Sequence, residues 1–261
     1  MKVSPMRRSA LIPLAAVMLL PACASSGSDN DVIDRSYVAQ DVATLYTVGK
    51  DFLDRGSYRL AAGVFDEVER QHPYSVWARR AQLMSAFSYY AAGEYPDAIG
   101  AAQRFLSLHP GNRNADYAYY LIAVSYYEQI EDVERDQQIT QQAVAALNEL
   151  VRRYPDSRYA ADARLKLDLA HDHLAGKEMA IGRFYMQRRE YIAAIKRFEN
   201  VVNTYDTTSH APEALHRLVE SYLLLGIPEE ARRTAAVLGH NYPGSKWYKR
   251  TYELIQEHAS A

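Results

Sequence analysis

The sequence predicts an all-α fold, a superhelical solenoid of about five helix pairs followed by a C-terminal capping helix. The first observation behind this prediction is a turn signal that recurs along the chain. Helices tend to end before proline, because its ring disfavours helical geometry at the preceding residue. Such signals close five successive segments, at His72-Pro73, His109-Pro110, Tyr154-Pro155, Tyr205-Asp206 and Tyr242-Pro243. The chain therefore divides into units of similar design.

The second observation is a packing pattern that repeats within each unit. Positions that would let two helices approach closely are each followed, one helical turn later, by an aromatic residue. The close-approach positions are Gly49, Ala86, Ala123, Gly182 and Val219, and the aromatic positions are Phe52, Tyr89, Tyr126, Tyr185 and Tyr222. The second helices begin with alanine, at Ala61, Ala98, Ala143, Ala194 and Ala231. This order resembles the tetratricopeptide repeat, a helix–turn–helix unit of about 34 residues that stacks into a curved solenoid.

The five units cover residues 42–244, and two of them are irregular. The third carries extra residues between its helices, around Glu128–Thr140, and insertions in solenoids are often functional. A solvated acidic loop is the alternative interpretation of this segment. A helical pattern over Tyr159–Leu174 predicts that the first helix of the fourth unit is long. From Ser245 onward, large residues keep helical spacing, which predicts the capping helix.

The amino terminus has the pattern of an exported lipoprotein. Residues 1–22 combine a positively charged start with a short apolar run, as a signal peptide does. The run ends in Leu-Pro-Ala followed by Cys23, the single cysteine of the chain, and this motif resembles the bacterial lipobox. We therefore expect cleavage before Cys23, a covalent lipid on its sulfur and a polar tether over residues 23–41. Ala24 stands where an Asp would retain a lipoprotein in the inner membrane, so we expect the outer membrane, facing the periplasm.

The composition argues against several functional classes. With 30 Lys+Arg against 32 Asp+Glu, the net charge is −2, without the basic excess of nucleic-acid-binding proteins. A single Cys excludes a disulfide framework within the chain and a multi-cysteine metal site. The sequence contains none of the G-x-G-x-x-G, G-x-S-x-G and H-E-x-x-H motifs of common enzymes. We expect no catalysis, no metal and no cofactor apart from the covalent lipid.

Aromatic residues concentrate where the first helices of units one to three are expected to line the groove of the solenoid. Large rings with a polar tip are enriched at binding hot spots. The candidate groove residues are Tyr46, Phe87, Tyr90, Tyr117, Tyr120 and Tyr127. Such a groove suits an extended or short helical peptide with aromatic side chains. The alternative is that part of this set fills gaps between units, as Tyr89 and Tyr126 are expected to do.

Arg197 is a second candidate binding residue, on the second helix of unit four. The residues three and four positions away along that helix are Ala193, Ala194, Asn200 and Val201, none of which is acidic. Its guanidinium therefore has no acidic partner on its own helix. We expect it to be available to a carboxylate on another protein.

The lipobox, the five repeats and the run HPGNRNADYAYY with its later RRYPDS together resemble the BamD family, outer-membrane lipoproteins of the β-barrel assembly machinery (BAM). The resemblance implies three kinds of partner: the periplasmic domains of the barrel protein BamA, unfolded β-barrel precursors and other BAM lipoproteins. It assigns Arg197, in AAIKRFENVV, to the contact with BamA. It assigns the aromatic groove to the aromatic-ended targeting signal of the precursors.

The resemblance also implies a division of labour along the chain. Units one to three, residues 42–158, would hold the substrate groove, and residues 159–261 would hold BamA and include the capping helix. The protein would then be a non-enzymatic adaptor for the insertion of β-barrel proteins into the outer membrane. The alternative function is a different periplasmic scaffold of the same repeat class, one that organises peptidoglycan enzymes or division proteins.

Overall fold

The computed structural model describes residues 41–133 and 135–259, which consist of α-helices joined by turns and one longer loop. The helices of this part of the chain are α1 (Val42–Asp54), α2 (Tyr58–Gln71), α3 (Val76–Ala91), α4 (Tyr95–Leu108), α5 (Ala115–Tyr127), α6 (Gln138–Arg153), α7 (Ala160–Gln187), α8 (Tyr191–Thr204), α9 (Ala211–Leu224), α10 (Pro228–Asn241) and α11 (Lys246–Ala259). The described residues form one compact unit.

The helices pack as five antiparallel pairs and a final single helix. Each helix contacts the next along the chain, so α1/α2, α3/α4, α5/α6, α7/α8 and α9/α10 are the five units. The first helices α1, α3, α5 and α7 also contact one another in succession, and α11 packs on α9 as the next first helix would. The predicted all-α solenoid and its capping helix are confirmed. Helix α7 has 28 residues and includes almost all of the predicted extension.

The close-approach positions lie where the sequence pattern puts them. A Cβ atom at Gly49 of α1 would lie 2.8 Å from the Phe65 ring of α2, and one at Gly182 of α7 would overlap the Phe198 ring of α8. Both phenylalanines are fully buried. Because the interior is close-packed, the ring of the second helix occupies the space that a side chain on the first helix would need.

The repeat tyrosines join neighbouring units. The Tyr89 hydroxyl on α3 donates a hydrogen bond of 2.7 Å to Asp66 of α2, and the Tyr222 hydroxyl on α9 donates one of 2.9 Å to Glu199 of α8. In both cases the acceptor belongs to the second helix of the preceding unit. Tyr126 packs against the buried cluster between units two and three. Tyr89 and Tyr126 therefore fill gaps between units, as predicted.

Candidate functional site

The predicted lipidation site and its surroundings fall outside the described residues. Residues 1–40 are not described, and they include the predicted signal peptide of residues 1–22, Cys23 and the predicted tether up to residue 40. Among the helices that the structure describes, none is both long enough and apolar enough to cross a lipid bilayer.

The candidate groove residues all lie on the first helices of units one to three, and all are half-buried. Their surroundings differ. Tyr46 of α1 lies at one end, with its ring centroid 4.9 Å from that of Trp77 and 5.4 Å from that of Phe65. Phe87 and Tyr90 of α3 pack against the buried cluster between units two and three, as Tyr117 of α5 does. The structure therefore does not gather the six into one pocket.

Two of the predicted residues do meet, through a third tyrosine that sequence reasoning missed. Tyr159, immediately before α7, stacks on Tyr120 of α5 with a centroid distance of 4.7 Å and an interplanar angle of 20°. It also stacks on Tyr117, with a centroid distance of 5.2 Å and an angle of 30°. We call Tyr117, Tyr120 and Tyr159 the tyrosine stack. Arg158 lies over the Tyr159 ring, 4.7 Å from its centroid, so the stack has a cationic edge.

The hydroxyl end of the tyrosine stack is polar and fixed. The Tyr120 hydroxyl donates a hydrogen bond of 2.9 Å to Asp162 of α7, and Lys166 forms a 3.1 Å ion pair with the same carboxylate. Burial, followed by the Asp162 carboxylate, raises the pKa of Tyr120 well above its ordinary value. Tyr120 therefore remains a neutral donor at neutral pH. Lys166 also lies over the ring of Tyr127, 5.3 Å from its centroid, which ties the last predicted groove residue to α7.

Tyr90 completes this part of the surface. Its ring lies 6.0 Å from that of Tyr95 at the start of α4. Burial raises the pKa of Tyr90, and the carboxylates of Glu128 and Asp162 add to the effect. Rings from α3, α5 and the start of α7 thus form a half-buried aromatic surface with carboxylates and cations at its edges. Such a surface offers apolar stacking and hydrogen bonding to a partner.

A spacing in the sequence could have revealed Tyr159. The pattern Pro-x-Ser-x-aromatic occurs where a new unit begins, ending in Trp77, Tyr159 and Trp247. Each of these rings packs on the preceding first helix: Trp77 on Tyr46, Tyr159 on Tyr120, and Trp247 on His216 at 5.2 Å. The aromatic residue after each such turn therefore belongs to the surface of the unit before it.

The insertion of unit three lies between α5 and α6, and the structure describes all of it except residue 134. The Gln137 side-chain amide donates hydrogen bonds of 3.2 and 3.0 Å to the carbonyl groups of Val133 and Arg135. The Val133 side chain packs against α7 at Gly176. Acidic side chains of the loop, with Tyr127, line an open cleft of about 290 Å³ against α7. Val133 therefore attaches the loop to α7, and the carboxylates of Glu128 and Glu131 line the cleft.

Arg197 has an acidic partner, but on a different helix. Its Nη1 donates to Glu178 of α7 at 3.2 and 3.4 Å, which sequence reasoning restricted to α8 did not anticipate. The Arg197 side chain is 42% exposed, whereas Glu178 is largely buried at 17%. The ion pair thus fixes the guanidinium on the surface between α7 and α8 and leaves a large part of it accessible.

Within residues 41–133 and 135–259, no three His, Cys, Asp or Glu side chains are grouped as metal ligands would be. The fold is that of a tetratricopeptide-repeat protein, with an aromatic surface on units two to four and an ion-paired, partly exposed arginine on unit four. The chain belongs to the YfiO family of outer membrane lipoproteins, which it matches over residues 38–238.

Three similar curated proteins carry the same name. The chain is 50% identical to the outer membrane protein assembly factor BamD of Caulobacter vibrioides over 246 residues, which are 94% of this chain and 81% of the relative. It is 43% identical to BamD of Rickettsia prowazekii, covering 96% of both chains. It is 34% identical to BamD of Neisseria meningitidis serogroup A, covering 93% of this chain and 94% of that one. The resemblance identified from the sequence motifs is confirmed.

Proposed function

We propose that this protein is a lipid-anchored, non-enzymatic adaptor of the BAM complex, which holds β-barrel precursors near BamA. As a member of its family, it is an outer membrane protein assembly factor. The observation that carries the adaptor role is a single stacked array of helices that presents two separate candidate surfaces, the aromatic surface on units two to four and Arg197 on α8 of unit four. A rigid array that binds two partners converts their encounter into an intramolecular step, which raises the effective concentration.

The aromatic surface suits the aromatic-ended targeting signal of a barrel precursor. Preordered rings lose little conformational entropy on binding, and stacked aromatic pairs are favourable beyond the area that they bury. Arg158, Arg80 over Trp77, and Lys166 supply cations at the edge of this surface, which suit the carboxylate at the end of a peptide. The surface therefore provides contacts for both the rings and the charge of such a signal.

The first test removes two rings of this surface. We expect the double variant Tyr90→Ala/Tyr120→Ala to bind a fluorescent aromatic-ended barrel peptide at least about tenfold more weakly, because hot-spot rings carry most of the binding energy. The matched control is Tyr58→Ala/Tyr74→Ala, which removes two exposed tyrosines outside the layer of first helices. Equal affinity of wild type and both folded variants would refute the assignment of the groove.

The second test concerns Arg197. We expect Arg197→Glu to weaken binding of the purified BamA periplasmic domains at least about tenfold, since it places a carboxylate where we propose that a carboxylate of the partner lies. The matched control is Arg183→Glu, which breaks a comparable ion pair: Arg183 contacts Glu213 at 3.1 Å and is 40% exposed. Circular dichroism checks that both variants keep the fold.

Unchanged BamA binding by folded Arg197→Glu would contradict the proposed contact.

Detergent co-purification of the full lipidated chain separates the two candidate functions. Stoichiometric BamA supports the adaptor of the BAM complex, with other BAM lipoproteins as further partners. Peptidoglycan enzymes or division proteins in place of BamA would favour the alternative scaffold.

A further inference from the structure

Four turns between the two helices of a unit share one geometry. In units one, two, four and five, the second residue after the first helix lies in the left-handed region, at φ values of 76°, 76°, 62° and 74°. The backbone hydrogen bonds are also the same. For example, Arg189 donates to the Met186 carbonyl at 2.9 Å, and Gly226 donates to the Leu223 carbonyl at 3.0 Å. The four turns are therefore equivalent positions of the repeat.

Three of these positions are glycine and the fourth is Arg189. A side chain in the left-handed region brings Cβ close to the following carbonyl oxygen, and glycine avoids this cost. Unit four thus carries backbone strain that the other three turns avoid. Backbone strain of this kind persists only where the surrounding structure imposes it, and it concentrates at functional sites.

The Arg189 side chain borders an open apolar cleft of about 450 Å³ at this turn. The cleft is lined by Arg189, Glu190, Tyr191, Ile192, Ala193, Lys196 and Leu225. Ile192 is 66% exposed, and Phe184 and Leu224 are exposed large apolar residues on the helices that end at these turns. The volume is sufficient for one large apolar side chain of another molecule.

Two cations at this cleft differ from the neighbouring arginines because they form no ion pair among the described residues. Arg183, Arg188 and Arg197 each form an ion pair, with Glu213, Glu190 and Glu178. Among the described residues, no carboxylate lies within ion-pairing distance of Arg189 or Lys196. The cleft therefore combines exposed apolar surface with two cations that form no ion pair among the described residues, and the one carboxylate in its lining, Glu190, is paired with Arg188.

We infer that this cleft is a docking site for a protein segment in which a large apolar side chain adjoins a carboxylate. The apolar side chain enters between Ile192 and Leu225, and the carboxylate pairs with Arg189 and Lys196. The inference rests on the proposed function in one respect, since we assign the segment to the periplasmic domains of BamA. Arg197 lies one turn from Ala193, a lining residue of the cleft, on the same face of α8, so the cleft and the Arg197 contact can belong to one surface.

The substitution Arg189→Gly separates binding from stability. It restores the residue of the equivalent turns, so it should raise the thermal midpoint by roughly 2–4 °C while it weakens BamA binding about tenfold. Lys196→Gln removes the second cation without changing the backbone, and it should weaken binding to a similar degree. The matched control is Arg183→Gln, which removes an arginine of α7 whose partner is Glu213 and which does not line the cleft.

Binding of the purified BamA periplasmic domains to the full chain is measured by calorimetry, and thermal unfolding is measured in parallel. Weaker binding by both Arg189→Gly and Lys196→Gln, with Arg183→Gln near wild type, supports the site. Wild-type affinity of both cleft variants, together with a loss in Arg197→Glu, overturns the cleft and leaves the proposed function standing. Failure of wild type to bind overturns both. Loss of affinity for aromatic-ended peptides, with BamA binding unchanged, overturns the assigned occupant.

Discussion

Gly182 shows how one residue sets the distance between two helices. The fully buried Phe198 ring occupies the space in which a side chain on α7 would lie, and Gly49 has the same relation to Phe65 in unit one. The hydroxyl groups of Tyr89 and Tyr222 add directional bonds between units to this packing. At the scale of the residue, the fold depends on a few small side chains opposite large rings.

We expect Gly182→Ala to lower the free energy of unfolding by roughly 1–3 kcal/mol, because the added methyl group forces the Phe198 ring to move. The matched control is Gly100→Ala in α4, where a Cβ would have no neighbour within 4 Å. That change should stabilise the protein by up to about 1 kcal/mol, as expected from helix propensity. Urea denaturation measures both, and equal stability of the two variants would contradict this account.

At the scale of the element, α11 completes the array by covering unit five. Its Thr251 hydroxyl is buried 2.8 Å from Nδ1 of His216 on α9, and Trp247 lies beside the His216 ring. Nε2 of His216 lies 3.3 Å from Glu220. Hydrogen bonds from His216 and Arg217 to Glu220 outweigh its burial, so the pKa of this carboxyl is lowered. A buried polar contact therefore holds an otherwise amphipathic final helix in one register.

We expect Thr251→Val to destabilise the docking of α11 by roughly 1–3 kcal/mol, because it leaves a buried histidine nitrogen without its partner. Hydrogen exchange measures the effect locally: amide protection should fall in α11 and remain in α1–α4, since each repeat contacts only its neighbours. Thr207→Val, at an exposed turn position, is the control. Unchanged protection of α11 in the variant would show that the His216 contact is dispensable.

At the scale of the whole molecule, the proposed adaptor needs its array to be held at the membrane. The described residues supply two candidate binding regions, and Cys23, outside them, supplies the anchor that we propose. Several acyl chains together give a durable attachment, whereas one alone is marginal. Attachment of the array to the membrane would then decide whether precursors reach BamA, without any change in the fold of the array.

We expect Cys23→Ser to abolish lipid labelling and to release the protein from the outer membrane fraction. Ala24→Asp is the matched variant: it keeps the lipid and should shift the protein to the inner membrane. Fractionation of cell envelopes on a density gradient measures both. Retention of Cys23→Ser in the outer membrane would contradict a lipid anchor and indicate that protein contacts hold the chain there.

The periodic features of this protein could be predicted from its sequence. Helix pairs, the close-approach positions Gly49 and Gly182, the long α7 and the capping helix all follow from patterns that repeat within one or two turns of a helix. Local periodicity records which face of each helix is buried, and proline records where it ends. The motifs of the amino terminus and of the third unit also sufficed to indicate the family.

Tertiary structure alone decided which side chains meet across units. Tyr120 and Asp162 are 42 residues apart in the chain, and Arg197 and Glu178 are 19 residues apart on different helices. Periodicity along one helix carries no information about such pairs, because their distance depends on how successive units stack. For the same reason, Tyr159 entered the aromatic surface and Arg189 was left beside an apolar cleft. The sequence by itself determined the elements of this solenoid, and stacking determined its binding surfaces.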